Sequence, residues 1–122
     1  MLRILLADRL ASARSATRLF LSRHHGEWQI VAEAADEATL LAYLGGACVD
    51  VVIMHVAIAK GSLSDLLRQL HIACPQVHIL VSSGDPELEM AAKAAGADDF
   101  MYLGDPPSKL VIKLRIVQAE QL

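Results

Sequence analysis

Aromatic residues are scarce in this sequence of 122 residues, where phenylalanine, tryptophan and tyrosine together make up 4%. A chain so poor in aromatic side chains offers little surface for stacking bases or sugars, so we expect no platform for single strands or carbohydrates. Net positive charge is lacking as well, since the formal net charge is −3 at pH 7. Domains that bind nucleic acid are usually strongly basic, so we predict no direct nucleic-acid binding by this domain.

Long apolar runs and cysteine motifs are also absent. The longest apolar run, Val51–Ala59, contains His55 and is too short to cross a bilayer. The chain starts on an apolar strand-like segment with neither a basic leader nor a cleavage site, so we expect no membrane association. The two cysteines, Cys48 and Cys74, form no C-x-x-C pattern. We therefore predict neither a zinc site nor a disulfide, and a reducing cytoplasm as the location.

The chain is nevertheless rich in apolar residues, at 54%, and can bury a core within one domain spanning residues 1–122. Short apolar runs, typical of strands buried on both faces, alternate with helical patterns. The runs cover Leu2–Ala7, Gln29–Ala34, Val49–His55, His78–Ser82 and Asp99–Leu103, and the helical patterns lie near residues 10–24, 36–44, 62–73, 86–95 and 107–121. This alternation predicts an α/β fold with a doubly wound, five-stranded parallel sheet of flavodoxin-like (βα)5 topology.

Several helix boundaries carry their own signals. Asp36, Ser62 and Asp85 each precede a helical pattern with a side chain that can cap backbone N–H groups, and a proline follows Asp85. Gly96 stands where the fourth helical pattern ends, as glycine often does after a helix. These signals support the predicted order of strands and helices.

In a doubly wound sheet, the functional site lies at the carboxyl ends of the strands, where the strand order reverses. The predicted strands end close to five residues: Asp8 and Arg9, His55, Ser82, and Leu103. We expect these side chains to surround one pocket.

The sequence resembles a response-regulator receiver domain over nearly its whole length. The segments RILLADRLASARSATRLFL, QIVAEAADEATLLAYL, DVVIMHVAI, HILVSSGD and AAKAAGADDFMYL follow that family in order and spacing, closest in style to receivers that precede a helix-turn-helix DNA-binding domain. The resemblance implies two-component signalling, in which a histidine kinase passes a phosphoryl group to an aspartate at the end of the third strand. It also implies an acidic pair that holds Mg²⁺, a Ser or Thr after the fourth strand and a Lys after the fifth.

The sequence departs from this pattern at three of the five site positions. Asp8 matches the first acid of the pair, but Arg9 stands in place of the second. His55 occupies the place of the phosphorylated aspartate and Leu103 that of the lysine, whereas Ser82 matches the hydroxyl position. The resemblance therefore implies the fold, but indicates a degenerate phosphoacceptor pocket without aspartyl phosphorylation.

The charges of the pocket change with these substitutions. Three carboxylates and one ammonium give the usual site a net charge of about −2, which Mg²⁺ balances. Here Asp8 and Arg9 cancel, and His55 can be neutral, so we predict no metal and no other cofactor, with Arg9 paired to Asp8 in place of the ion. Phe100 matches the aromatic residue that swings inward on activation in the family.

Simpler interpretations stay open for three of these residues. Asp8 is equally suited to capping the first helix. His55 could be a ligand, a pH switch or a phosphohistidine, but we favour a neutral imidazole hydrogen-bonded to backbone or to Asp8. Ser82 could be a hydrogen-bonding strand end that has no catalytic role.

The last helical pattern has two apolar stripes. Leu110, Leu114 and Val117 share the face that the resemblance places against the sheet, so Ile112 and Ile116 point away from it. Exposed apolar atoms are common on any surface. In the family this region makes dimer or partner contacts, so we interpret the two isoleucines as a possible interface.

We expect a signalling domain that is not an enzyme and acts through a protein partner or as a homodimer. One alternative is the regulatory N-terminal domain of a DNA-binding transcriptional regulator whose output domain is absent from this chain. Another is a phosphoacceptor that still takes phosphate from small donors. A nucleotide- or flavin-binding enzyme is least favoured, because no glycine-rich turn follows the first strand.

Overall fold

The computed structural model describes residues 1–24 and 27–121, and a parallel five-stranded sheet forms its centre. The strands are β1 (Leu2–Ala7), β2 (Trp28–Ala34), β3 (Val51–His55), β4 (His78–Ser83) and β5 (Asp99–Tyr102). The helices are α1 (Ala11–Ser22), α2 (Glu37–Gly46), α3 (Leu63–Ala73), α4 (Glu89–Ala94) and α5 (Ser108–Glu120). The strand order is β2-β1-β3-β4-β5, with every neighbouring pair parallel, which confirms the predicted fold class.

Two apolar cores lie on opposite faces of the sheet. One contains buried residues of α1 and α5, including Leu21 and Leu114, and the other contains buried residues of α2, α3 and α4, including Leu40 and Leu67. The central strands supply both cores, which is why their sequences are apolar at successive positions and do not alternate.

The predicted capping residues occupy the predicted places. Asp36 and Ser62 each accept a hydrogen bond from the backbone N–H three residues on, at 2.7 and 3.1 Å. Asp85 accepts one from the N–H two residues on, at 2.9 Å, and so begins a short 3₁₀ turn that leads into α4. Gly96 has a φ of +115° just after α4, a conformation that glycine adopts without steric cost.

Helix α5 is oriented as the sequence predicts. Leu110, Leu114 and Val117 are buried against the sheet. Ile112 and Ile116 face outward, and each is 56% exposed. The helix therefore presents an apolar stripe to solvent in addition to the one it buries.

The expectation that no disulfide forms is wrong, because Cys48 and Cys74 are joined by one. Cys48 lies in the connection from α2 to β3, and Cys74 is the residue that follows α3. Both are at the amino ends of the strands, with their Cα atoms 5.6 Å apart. The 26 residues that separate them in sequence hide this proximity, because only the packing of α2 beside α3 creates it.

Candidate functional site

The carboxyl ends of the strands surround a small cavity of about 110 Å³. Asp8, His55, Ser82 and Leu103 all contribute to its lining. The pairing of β3 with β4 sets His55 opposite Ser82, so these two side chains share one end of the sheet. The structure thus brings four of the five predicted site residues to one cavity.

Arg9, the fifth predicted residue, lies outside this cavity and is exposed. It lines two more open cavities, one of about 430 Å³ shared with Asp8 and one of about 500 Å³ shared with Asp36 and Lys60. Within residues 1–24 and 27–121, no ion pair joins Arg9 to Asp8, so the predicted pairing is wrong. The Asp8 carboxylate instead accepts the backbone N–H of Leu10 at 2.9 Å, immediately before α1 begins.

Arg14 is the cation that the structure places in the cavity wall. Its Nη1 donates a hydrogen bond to the backbone carbonyl of Asp8, and its Nε donates to the Glu33 carboxylate at 2.9 Å. Arg18, one helical turn further on, donates to the same carboxylate at 3.0 Å. The hydrogen bond from Arg18 is the main reason that the pKa of Glu33 lies below its usual value, and the bond from Arg14 adds to it. Partial burial opposes this lowering of the pKa.

The sequence contained a signal for this cluster that our interpretation did not use. Glu33 is a charged residue inside the apolar segment of β2, and it pairs in register with Leu6 of β1, whose side chain faces α1. A carboxylate on the face of a strand that packs beside a helix lies within reach of basic side chains on that helix. Arg14 and Arg18, spaced four residues apart, are the arginines that α1 can present to it.

His55 makes a local hydrogen bond at the end of β3. Its Nδ1 accepts the backbone N–H of Ala57 at 3.0 Å, which leaves Nε2 as the ring nitrogen that can donate. This bond to the backbone agrees with the hydrogen bond expected for His55, and the role of His55 stays a prediction. Its Nε2–H lacks a hydrogen-bond partner in the described part of the chain.

Ser82, Leu103 and Phe100 differ sharply in exposure. Ser82 is only 7% exposed, yet its hydroxyl makes no hydrogen bond to any residue that the structure describes. Leu103 is 49% exposed and covers the cavity from the end of β5. Phe100 is buried in the core shared with α2, α3 and α4, and its assignment as a switch aromatic stays a prediction.

The residues at this edge do not fit the Mg²⁺ ion that the receiver resemblance implies. Mg²⁺ requires several oxygen ligands in octahedral geometry. Among the described residues, Asp8 is the sole carboxylate that lines the 110 Å³ cavity, and Arg14 and His55 stand beside it. The described ranges contain no group of three or more His, Cys, Asp or Glu side chains that could hold a metal ion.

Comparison with known proteins shows likeness in structure without close likeness in sequence. No protein-family model matches the chain, and no curated protein matches it. A LuxR-family two-component response regulator from Aurantimonas sp. superposes with a TM-score of 0.87 at 23% identity, covering 98% of this chain and 86% of that one.

Two further solved structures agree with it. A LuxR-family DNA-binding response regulator from Silicibacter pomeroyi gives a TM-score of 0.82 at 24% identity, covering 98% of this chain and 93% of that one. A CheY-like response-regulator receiver domain protein from Methanospirillum hungatei gives a TM-score of 0.81 at 21% identity, covering 99% of this chain and 96% of that one. With the strand order and the cavity at the strand ends, these likenesses show that the chain has the fold of response-regulator receiver domains.

Proposed function

We propose that this protein is a receiver-like signalling domain, not an enzyme, that works through contacts with other proteins and without phosphorylation of an aspartate. One observation carries the proposal: His55 stands at the end of β3, at the position that corresponds to the phosphorylated aspartate in receiver domains. An imidazole whose Nδ1 already accepts a backbone N–H offers no carboxylate oxygen to attack phosphorus.

The surroundings of His55 support the same conclusion. Leu103, in place of the lysine, supplies no positive charge for the oxygens of a transferring phosphoryl group. Arg14 is the guanidinium in the cavity wall, and its Nε is bonded to Glu33. The pocket therefore lacks the aspartate at the end of β3 and the lysine after β5 on which phosphoryl transfer in receiver domains relies.

The outer face of α5 is the proposed contact surface, for a second copy of this chain or for another protein. Ile112 and Ile116 lie one turn apart and are exposed, so they form a short apolar stripe. Burying both side chains against a partner would contribute on the order of 3 kcal/mol, which is enough to decide whether a weak dimer forms.

Sedimentation velocity tests this surface. For a wild type that dimerises, the double variant Ile112→Glu, Ile116→Glu should raise the dimer dissociation constant on the order of 100-fold. The matched control is Ile72→Glu, because Ile72 is 73% exposed on α3 and lies outside the proposed surface. A double variant that dimerises as tightly as the control would exclude α5 as the interface.

A second candidate function is the regulatory domain of a DNA-binding transcriptional regulator. Its support is the structural likeness to two LuxR-family response regulators, one of which is described as DNA-binding. The sequence of the full-length gene tests it. A helix-turn-helix segment in frame after Leu122 would support this candidate, and a stop codon there would exclude it.

A cytoplasmic location is also part of the proposal, since signalling of this type connects intracellular kinases to intracellular outputs. Within the described residues, no helix is long and apolar enough to cross a membrane. In a reducing cytoplasm the bond between Cys48 and Cys74 would open. Alkylation mass spectrometry on protein from cells lysed in acid reports whether Cys48 and Cys74 are reduced or oxidised. Fully oxidised cysteines would argue against a cytoplasmic location.

A further inference from the structure

We infer that Cys48 is a site of reversible modification by small thiols. A thiol of the glutathione class exchanges with the disulfide between Cys48 and Cys74 by attacking the Cys48 sulfur, and the chain keeps its fold while the bond is open. This modification site goes beyond the signalling role proposed above and does not depend on it.

The two cysteines differ in how far solvent reaches them. Cys48 is exposed in the connection between α2 and β3, whereas Cys74 is 1% exposed and belongs to the core shared with α2, α3 and α4. Thiol–disulfide exchange requires a thiolate to reach the sulfur that it attacks. Attack is therefore directed to Cys48, and Cys74 is the sulfur that leaves.

The surface beside Cys48 is open. Gly45 and Gly46 end α2, and a side chain added at either glycine would meet nothing within 4 Å of its Cβ atom apart from neighbouring backbone. Ala47, which separates these glycines from Cys48, is exposed as well. A tripeptide thiol attached to Cys48 therefore has room beside the end of α2.

The exchange begins with a step that balances within the reacting groups. The thiolate forms a bond to the Cys48 sulfur and the bond to Cys74 breaks. The electron pair of that bond stays on the Cys74 sulfur, which takes up a proton. The product is a mixed disulfide at Cys48 with a buried thiol at Cys74.

The mixed disulfide has two ways forward. A second thiolate can attack the sulfur of the attached thiol, which releases the small-molecule disulfide and leaves Cys48 to take up a proton. Alternatively, Cys74 loses its proton, attacks Cys48 and expels the small thiol, which restores the original bond. The small thiol is the reductant and its disulfide is the oxidant, so the cycle needs no other redox partner.

Hydrogen bonds that do not involve sulfur hold Cys48 in place. Its backbone carbonyl accepts Arg3 Nη1 at 3.1 Å, and the nearby Asp50 carboxylate accepts the Arg3 backbone N–H at 2.7 Å. The Asp50 N–H in turn donates to the Arg3 carbonyl at 2.9 Å. The connection between α2 and β3 therefore stays attached to β1 when the disulfide opens.

Cys74 is held by backbone hydrogen bonds of its own. Its N–H donates to the Leu70 carbonyl at 2.9 Å, and its carbonyl accepts the Val77 N–H at 3.0 Å. Because both cysteines keep their positions without the disulfide, the two sulfurs stay neighbours after reduction. A high effective concentration of one thiol at the other then favours re-formation of the bond.

The open form also offers each thiol an acceptor. The Ala73 carbonyl oxygen lies 3.5 Å from the Cys48 sulfur, and the Leu44 carbonyl oxygen lies 3.9 Å from the Cys74 sulfur. A thiol is a weak donor, so each of these carbonyls can accept its S–H. Opening is therefore expected to be local and not to unfold the domain.

Single-cysteine variants test which sulfur small thiols reach. Cys74→Ala keeps the Cys48 thiol, and Cys48→Ser keeps the Cys74 thiol. With oxidised glutathione, the mixed disulfide should form on the order of 100-fold faster at Cys48 than at Cys74 in the folded protein. In denaturing urea the two rates should agree within about threefold, because burial no longer protects Cys74.

Equal rates in the folded variants, or a faster reaction at Cys74, would overturn the assigned site. If Cys74→Ala does not fold, Cys48→Ser decides alone. Its Cys74 thiol must then react on the order of 100-fold more slowly when folded than in urea.

Amide spectra of the ¹⁵N-labelled wild type test whether the opening is local and reversible. Reduced glutathione should shift amide signals close to Cys48 and Cys74, while those of His55 and Leu103, at the opposite end of the sheet, stay unchanged. Oxidised glutathione should then restore the first spectrum. Collapse of signal dispersion on reduction, a disulfide that excess glutathione leaves intact, or failure to restore the spectrum would each overturn the inference.

Two arginine variants test what keeps the sulfurs together. Arg3→Gln should slow the return of the disulfide about threefold, as expected for the loss of one exposed hydrogen bond to Cys48. Arg68→Gln is the matched control, because Arg68 is also exposed but bonds to Asp65 within α3. Equal rates for the two variants would contradict the role assigned to Arg3.

Discussion

Glu33 is the residue that organises the charges on the α1 side of the site. It accepts hydrogen bonds from Arg14 and Arg18, and Arg14 in turn donates to the backbone carbonyl of Asp8. The β1–α1 connection is therefore tied to the edge strand β2 through a single carboxylate. Our sequence interpretation assigned the cation to Arg9 because Arg9 stands in place of the second acid of the pair. The cation that contacts Asp8 in space is Arg14, inside α1.

Replacing this carboxylate should change both stability and its dependence on pH. Glu33→Gln should lower the free energy of unfolding at pH 7 by about 1 kcal/mol, since the partly exposed ion pairs are screened by solvent. The pKa of Glu33 is lowered in the folded protein, so its contribution is complete above the ordinary value of 4.5 and is lost as pH falls through the folded pKa.

Urea unfolding between pH 7 and pH 3 measures this dependence. The wild type should lose more stability than Glu33→Gln as pH falls below 4.5, so that the two converge in acid. Glu120→Gln is the control, because Glu120 is exposed and makes no ion pair within the described residues. Parallel curves for wild type and Glu33→Gln would show that Glu33 makes no such contribution.

At the scale of secondary-structure elements, the two faces of α5 should respond differently to truncation. Leu114 is fully buried, so Leu114→Ala should cost about 2–5 kcal/mol through lost burial and a cavity. Ile112→Ala, at a position 56% exposed, should change stability by no more than about 0.5 kcal/mol. Urea unfolding of the two variants measures the contrast, and equal losses would mean that the helix is rotated from the orientation described.

The starts of helices that follow a capping side chain were predictable from the sequence, because the cap bonds a backbone N–H only two or three residues further on. Asp36, Ser62 and Asp85 accept N–H groups of the turns they precede, as their side chains predict. For Asp36, the hydrogen bond from the Thr39 backbone N–H holds the pKa of the carboxyl below its usual value. Within the described residues no side chain caps the first turn of α1, because Asp8, the cap that the sequence offered, bonds the N–H of Leu10 one residue before the helix begins.

The disulfide acts on the whole molecule, because it closes a long loop across the amino ends of the strands. It joins Cys48 to Cys74 over a separation of 26 residues and encloses β3 and α3. Restricting a loop of this length in the unfolded chain should stabilise the protein by about 3 kcal/mol.

Urea unfolding with and without a phosphine reductant measures this contribution. The oxidised wild type should lose stability on reduction, whereas Cys48→Ser should behave the same in both conditions. Cys48 is the better position for the variant because it is exposed, while Cys74 is buried and its replacement would disturb the core. A wild type equally stable in both conditions would contradict the predicted stabilisation.

The fold was predictable from the sequence and the arrangement of charges was not. Five buried strands separated by helical patterns restrict the chain to few topologies, since burial depends on residue type and on periodicity. The Arg14–Glu33 pair and the bond between Cys48 and Cys74 depend on contacts between elements distant in sequence. The sequence shows that His55 and Leu103 replace the usual residues, but the hydrogen bond from the Ala57 backbone N–H to His55 depends on the geometry of the turn after β3.

We propose that this chain, despite its receiver fold, accepts no phosphoryl group on an aspartate. Intact-mass spectrometry after incubation with acetyl phosphate and Mg²⁺ decides this, with His55→Asp as a comparison that restores one carboxylate while leaving Arg9 and Leu103 in place. We predict an unchanged mass for the wild type and for the variant, since both keep Arg9 in place of the second acid and Leu103 in place of the lysine. A phosphoryl adduct on the wild type that is mapped to an aspartate would contradict the account.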